Sequence, residues 1–307
     1  MEKVLIGISA RPFRRTCMYF RESLIEALLF LAALSSIGIT AWIIFILVSE
    51  SYHFFGQVSL LAFFTDTQWT PLYLNAHYGI LPLVSGTVVI AAIALLIALP
   101  LGSVIAIYLS EYASRRVRET VKPVLELLSA VPTVVFGYFA LLFVTPMLQR
   151  LFPTLPGFNM LSAGIVIGIM ITPYVSSMSE DAMQAVPMYV REASYALGST
   201  RLQTATRVVY PSAFSGITSA YVLAFSRAIG ETMVVSIAAG MRPNLTWSPM
   251  EQAQTLTGYI VQVSLGDLPY GTIGYQTIFA AGLTLFMMTL AFNITGHLLR
   301  KRYRDIY

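Results

Sequence analysis

The sequence predicts an all-α integral membrane protein, built as a bundle of six transmembrane helices. Three observations support this prediction: an unusually apolar composition, six long apolar segments, and basic residues that alternate between the connections. Of the 307 residues, 56% are hydrophobic and 11% are charged, whereas a soluble domain carries about 25% charged residues. So little charge could not cover a soluble core of this size. We therefore expect much of the surface to contact lipid.

Six apolar segments are long enough to cross a hydrocarbon core about 30 Å thick, which needs about 20 helical residues. The fourth is short, but its Gly164 and Gly168 have the spacing that lets a neighbouring helix approach closely. The predicted spans, numbered TM1 to TM6, are residues 24–48, 80–109, 124–148, 161–178, 211–239 and 272–299. Residues 1–23 and 300–307 are predicted as tails, residues 49–79 as an external loop, and residues 80–299 as the core domain.

The positions of the basic residues predict the orientation. All 19 Lys and Arg residues except Arg150, Arg227 and Arg242 lie in the two tails or in the second and fourth connections. Basic segments resist translocation, so these segments should be cytoplasmic. Both termini then lie in the cytoplasm. TM1 is too long for a signal-peptide core and lacks a cleavage site, so we expect it to remain in the mature multi-pass protein.

Several functional classes find no support in the sequence. None of the three Lys residues follows a glycine-rich phosphate loop, so we expect no nucleotide hydrolysis by this chain. A Ser/His/Asp signature and a Cys/His metal motif are absent, and Cys17 is the single cysteine. Basic residues are spread over loops beside apolar spans, which favours a membrane surface over nucleic acid. We therefore predict a non-enzymatic protein that binds no cofactor or metal.

The cytoplasmic connection at residues 179–210 differs from the other connections. Its Ala, Gln, Arg and Glu content favours helix, yet it is too polar to enter the bilayer. Pro187 and Gly198 divide it into short pieces. It is predicted to form small surface helices on which a soluble partner could dock.

TM5 contains two charges, Arg227 and Glu231. A charged residue at the centre of a transmembrane helix costs about 2.5–3.5 kcal/mol. The two lie four residues apart, so we expect them to share a helix face and form a pair. Gly230 beside them would let another helix or a substrate come close. The pair is either structural or part of a pathway where the guanidinium meets an anion, and we favour the pathway.

The residues Glu192-Ala193-Ser194, followed by Gly198 and by Pro211, resemble the EAA loop of ABC importer permeases. Two positions depart from that pattern: Ser194 stands where Ala is usual, and Tyr210 stands where Leu is usual before the proline. The resemblance implies that the loop, including Arg191, forms a coupling helix. Such a helix sits in a groove of a cytoplasmic ATPase subunit.

The segment from Arg227 to Thr232 resembles the signature of phosphate-specific ABC transport permeases. Further matching positions are Trp69 and Pro71, Tyr78 and Gly79, Gly86 and Thr87, and Glu126, Ser129, Ala130, Val131, Pro132 and Gly137. The resemblance runs from about residue 20 to the C-terminus, and the long first outer loop is closer to the PstC-type subunit than to the PstA-type subunit.

This resemblance implies a six-transmembrane-helix, MetI-like importer permease in the bacterial cytoplasmic (inner) membrane. It implies a substrate path containing Arg227, Gly230, Glu231 and Thr232. The implied partners are a PstA-type permease, two PstB-type ATPase subunits that use ATP and Mg, a PstS-type external phosphate-binding protein, and membrane lipid, but no nucleic acid.

Other functions stay open on the residues alone. Sulfate, molybdate or phosphonate could replace phosphate, since one Arg does not distinguish tetrahedral oxyanions. A secondary transporter would work without an ATPase, but it should show more intramembrane acidic residues and inverted repeats. An assembly factor with no transport role is the third alternative.

Overall fold

The computed structural model describes residues 12–302 except Leu74 and Tyr270; for residues 12–20, 267, 299, 300 and 302 only the backbone is described. The predicted all-α class is confirmed, because the described residues contain helices and a single isolated bridge, between Trp69 and Tyr78. In chain order the helices are α1 (Pro12–Phe55), α2 (Leu60–Thr65), α3 (Leu81–Ile107), α4 (Arg115–Ser129), α5 (Thr133–Phe139), α6 (Thr145–Leu151), α7 (Met160–Gln184), α8 (Met188–Ala196), α9 (Arg201–Thr204), α10 (Tyr210–Ser212), α11 (Phe214–Ile229), α12 (Met233–Ala238), α13 (Leu256–Gln262) and α14 (Ile273–Arg302).

Single π turns extend or join several of these helices. They are Tyr108–Tyr112 after α3, Ala140–Val144 between α5 and α6, Ala205–Val209 between α9 and α10, and Val263–Asp267 after α13. Each π turn adds one residue to a helical turn, so it shifts the face on which all later side chains lie.

Five helical segments of the described chain are long and apolar enough to cross a membrane. A sixth crossing exists if the segments Arg201–Ser212 and Phe214–Ile229, which are bent by 73°, count as one broken span. The five are Arg21–Phe55, Leu81–Tyr112, Thr133–Leu151, Met160–Gln184 and Ile273–Leu298.

Contacts divide the chain after Ser49, and α1 up to that residue is a unit of its own. This helix begins at Pro12, inside the segment predicted as a tail, and its side chains at residues 21–43 are all exposed. A helix that is apolar all round suits a lipid environment. The predicted tail residues 1–11 and 303–307 lie outside the described residues.

In the second unit, α7 is the central helix and packs along α3. A Cβ on Gly164 would lie 2.7 Å from the side chain of Ile93, and one on Gly168 would lie 2.9 Å from the carbonyl oxygen of Ala94. The close approach predicted at these two glycines is therefore present, and its partner is α3. The helix is longer than the predicted TM4, because residues 179–184 of the polar loop continue it.

The predicted start of TM3 at residue 124 is wrong. The residues before Ser129 belong to α4, an amphipathic helix, and the apolar span begins only at Thr133. Pro132 explains the break, since proline lacks an amide N–H and disfavours helical geometry at the preceding residue.

The predicted TM5 is not one helix. Pro211 lies in α10, across the 73° bend from α11, and α11 itself ends at Ile229. Three residues then separate it from α12. Helix α13 was not predicted, because seven helical residues are too short to be recognised as a span.

Two ends of this unit are named for what fills them. The aromatic end contains Phe54, Phe63, Trp69, Tyr78 and Tyr259. The basic end is named for Lys122 and Arg191 and also contains their ion-pair partners, Glu180 and Glu111. Helix α3 connects them, since its Leu83 is buried in the aromatic end and its Ala106 in the apolar cluster at the basic end.

Candidate functional site

Helix α11 has a packed face and an open face. Its small residues Ala220, Ala224 and Ala228 are buried in the bundle, where they allow close contact with α3 and α7. Leu223 and Arg227, each three residues after one of these alanines, are exposed beside that packed face and define the open face. The open face therefore carries Arg227, the charged residue predicted to lie on a substrate path.

The Arg227 guanidinium lies over the ring of Tyr174 on α7, with 5.8 Å between the guanidinium carbon and the ring centroid. This is the geometry of a cation–π contact. Tyr174 is itself exposed, so the pair lies on the open surface. No ion pair involving Arg227 occurs among the described residues.

The predicted Arg227–Glu231 ion pair is therefore wrong. Because α11 ends at Ile229, the two residues do not share a helix face. Oε1 of Glu231 instead accepts hydrogen bonds from the amides of Met233 at 3.1 Å and Val234 at 3.2 Å. These amides begin α12 and have no partner within that helix, and a negative charge is favourable there. Glu231 is 8% exposed and acts as a helix cap.

Gly230 and Thr232 complete the break. The hydroxyl of Thr232 donates to the carbonyl of Gly230 at 3.2 Å, and the Glu231 carbonyl accepts from the hydroxyl of Thr257 on α13 at 2.8 Å. A Cβ on Gly230 would approach only the carbonyl oxygen of Ser226, at 3.2 Å. Within the described chain, no second helix makes the close approach predicted at Gly230.

Near the aromatic end, the positions named above for their resemblance to phosphate permeases hold α13 in place. Trp69 is 1% exposed and its ring lies 5.0 Å from that of Tyr259 on α13. A Cβ on Gly86 would lie 2.6 Å from the carbonyl oxygen of Gln254, and the hydroxyl of Thr87 accepts the Leu256 amide at 3.0 Å. These residues pack and position the segment that also carries Thr257.

The second candidate site is α8, the predicted coupling helix, where Arg191 is buried. Its guanidinium donates to the Glu111 carboxylate at 2.9 and 3.2 Å, and to the carbonyls of Met183 at 2.8 Å and Val186 at 2.6 Å. Glu111 was not predicted from the sequence as a partner of Arg191, because 80 positions separate the two residues. The signal available was a lone carboxylate at the polar edge of an apolar span.

Three further residues of the predicted coupling loop, Ser194, Gly198 and Pro211, have structural roles or positions of their own. The hydroxyl of Ser194, which replaces the usual Ala, bonds that of Thr204 at 2.9 Å, and both are buried. Gly198 has a φ of +81°, a left-handed conformation that favours glycine and ends a helix. Pro211 lies in the first turn of α10.

The outer face of α8 is exposed and largely apolar. Glu192 and Ala193 are exposed, as are Met188, Tyr189 and Leu197, of which Leu197 is 88% exposed. An apolar patch of this kind with a polar rim is typical of a protein interaction site.

Lys122 connects α4 to the end of α7 beside this loop. Its ammonium donates to Oε2 of Glu180 at 2.8 Å and also to the carboxylate of Asp181. Burial lowers the pKa of Lys122, but the hydrogen bonds and charges of Asp181 and Glu180 outweigh this effect, so its pKa is raised. Glu180 is fully buried, and Lys122 neutralises it.

Comparisons with known proteins place these features in context. Residues 98–305 match the family model described as binding-protein-dependent transport system inner membrane component. The chain is 34% identical to the probable ABC transporter permease protein YqgH of Bacillus subtilis, over 96% of this chain and 94% of that protein. It is 32% identical to the phosphate transport system permease protein PstC of Xylella fastidiosa, over 80% of each chain.

A solved structure of a bacterial alginate ABC transporter, in complex with its alginate pentasaccharide-bound periplasmic protein, has the same fold. The match has a TM-score of 0.65, covers 93% of this chain and 96% of that chain, and shares 17% identity.

Proposed function

Since this chain belongs to the binding-protein-dependent transport system inner membrane component family, we propose that it imports inorganic phosphate as the membrane-spanning permease of an ATP-driven transporter. Its partners would be a PstA-type permease, two PstB-type ATPase subunits that use ATP and Mg, and a PstS-type external phosphate-binding protein. The basic end would be cytoplasmic together with both termini. Similarity to PstC over most of the chain supports phosphate.

The observation that carries the proposal is the exposed guanidinium of Arg227. It lies on the open face of α11 against Tyr174, without an ion-pair partner in the described chain. A charge at membrane depth is expensive unless it borders water or another protein. We propose that the open face meets the second permease and borders the phosphate route. Arg227 there attracts the anion, while Glu231 keeps α11 and α12 joined at the break.

Arg227→Ala tests this role. In proteoliposomes containing the assembled transporter, ATP-dependent phosphate uptake should fall at least about tenfold, because a hydrogen bond to a charged group contributes about 1.5–3 kcal/mol. Arg227→Lys keeps the charge and should retain part of the uptake. The matched control is Arg242→Ala, which removes another exposed Arg outside the helices. Unchanged uptake in a fully assembled Arg227→Ala complex would remove Arg227 from the route.

The same assay distinguishes the alternative functions. For an ATP-driven phosphate importer, uptake should require ATP hydrolysis and resist competition by sulfate, molybdate or phosphonate. Uptake driven by an ion gradient without ATP would identify a secondary transporter. Absence of flux in the complete complex would leave the assembly-factor role.

For coupling, we propose that the exposed face of α8 docks into the ATPase. The support is the group of exposed apolar residues Met188, Tyr189 and Leu197 at the basic end, with the exposed Glu192 on the same helix. Glu192→Lys should reduce copurification of the ATPase and phosphate-dependent hydrolysis, whereas Glu126→Lys, an exposed carboxylate on α4, should leave both unchanged. If Glu192→Lys and substitutions of Gly198 keep full ATPase binding and coupled hydrolysis, the docking role fails.

A further inference from the structure

We propose that Glu111 is a positioning residue that holds the coupling helix α8 through Arg191, so that a movement of α8 is passed directly to α3 and α7. This inference rests on the proposed function, because it assumes that α8 receives the movement of an ATPase. It adds a residue outside the loop, on the π turn that ends α3.

Helix α8 has few contacts with the bundle. Only Arg191 and Ser194 of its nine residues are buried. Val190 adds a partly buried contact with the apolar cluster at the basic end. Ser194 reaches α9, the next segment of the same loop. Within the described part of the chain, Arg191 is therefore the polar contact that joins α8 to the transmembrane helices.

The guanidinium of Arg191 connects three structural elements. Arg191 bonds the Glu111 carboxylate beyond α3, the carbonyls of Met183 and Val186 at the end of α7, and belongs itself to α8. Carbonyls at the end of a helix lack partners within that helix, and a cation there is favoured by the helix dipole. Arg191 thus caps α7 while it pairs with Glu111.

The backbone around Glu111 determines where its carboxylate lies. It lies in the π turn Tyr108–Tyr112, and one added residue rotates the following side chains by about 100° around the helix axis. The hydroxyl of Ser110 donates to Oε1 of Glu111 at 2.9 Å and fixes the carboxylate. π turns of this kind occur often at functional sites. The side chains of Arg191 and Glu111 are 10% and 4% exposed, so water screens their attraction little.

The experiment uses Glu111→Gln, which keeps the shape of the side chain and removes its charge. In the assembled transporter, ATPase subunits should copurify and hydrolyse ATP as in the wild type, while phosphate imported per ATP should fall about tenfold. Glu119→Gln is the control, because Glu119 is an exposed carboxylate paired with Arg115 on α4. Wild-type coupling in Glu111→Gln would overturn the proposal. Loss of ATPase binding in that variant would also overturn it, since Glu111 would then serve docking.

A second measurement does not depend on phosphate. Hydrogen exchange of the α8 amides should be about tenfold faster in Glu111→Gln than in the wild type, with exchange in the centre of α7 unchanged. Equal exchange rates in both proteins would show that Glu111 does not hold α8. If the wild-type complex imports no phosphate, the proposed function fails, and exchange still decides whether Glu111 holds α8.

Discussion

The aromatic end and the basic end are stabilised by different interactions. At the aromatic end, rings pack edge to face: Trp69 contacts Tyr259 at 5.0 Å and Phe63 at 6.3 Å between centroids. At the basic end, buried carboxylates pair with Arg191 and Lys122. Ring packing depends on shape and contact area, whereas an ion pair depends on charge and can exchange partners.

This difference suggests different roles for the two ends. The aromatic end holds α13 in place and, through Thr257, contacts the break after α11. The basic end joins separate helices by a few strong polar bonds, which suits elements that change position together. A buried ion pair is a weak source of stability, because desolvation offsets its attraction. We therefore interpret the pairs as connectors between helices; removing one partner alone is destabilising, because it leaves an uncompensated buried charge.

The largest predicted effect comes from breaking the aromatic end. Trp69→Ala should lower the free energy of unfolding by about 3–5 kcal/mol, because it removes a buried ring and leaves a cavity. Thermal unfolding in detergent measures the effect. Trp247→Ala is the control, since Trp247 is 65% exposed, and it should change stability little. Equal effects of the two substitutions would show that this end is not held by the Trp69 packing.

The next effect tests the basic end. Lys122→Ala should cost about 3 kcal/mol, because it leaves the buried Glu180 carboxylate without its cation. Arg115→Ala removes one member of an exposed pair on the same helix, with side chains 84% and 60% exposed, and should cost no more than about 0.5 kcal/mol. Melting curves of both variants give the comparison. A Lys122 variant as stable as the Arg115 variant would show that the buried pair holds nothing.

The smallest effect concerns a pair in the loop near the aromatic end. Burial raises the pKa of Asp66, but hydrogen bonds from the His77 ring and the Gln68 amide outweigh it, so the pKa is lowered. Folding then favours the carboxylate, and this stability is complete above the usual pKa of 3.8 and is lost as pH falls through the lowered pKa.

The exposed fractions of the two side chains, 47% for His77 and 29% for Asp66, keep the effect below about 1 kcal/mol. The melting temperature of the wild type should exceed that of Asp66→Asn at pH 6, and the difference should shrink as the pH falls below 3.8. A difference that grows as the pH falls would contradict the lowered pKa.

Some predictions from the sequence were wrong for reasons located at particular residues. Arg227 and Glu231 have the spacing of a helical pair, but that spacing applies only if the helix continues through Gly230. The α11 helix stops because Glu231 caps α12 instead. The predicted start of TM3 was wrong because the helix breaks at Pro132, although the apolar sequence continues across that break.

The sequence by itself determined the class of the protein. Apolar length, scarce charge and alternating basic loops are additive properties of residues near one another in the chain, and Gly164 and Gly168 signalled a close helix contact in the same way. Only the tertiary structure decided which helix makes that contact, that Arg227 stays open, and that Arg191 reaches Glu111 80 positions away. These are contacts between distant segments. They depend on the π turn after α3, the 73° bend before α11 and the break after Ile229, and no local sequence pattern encodes them.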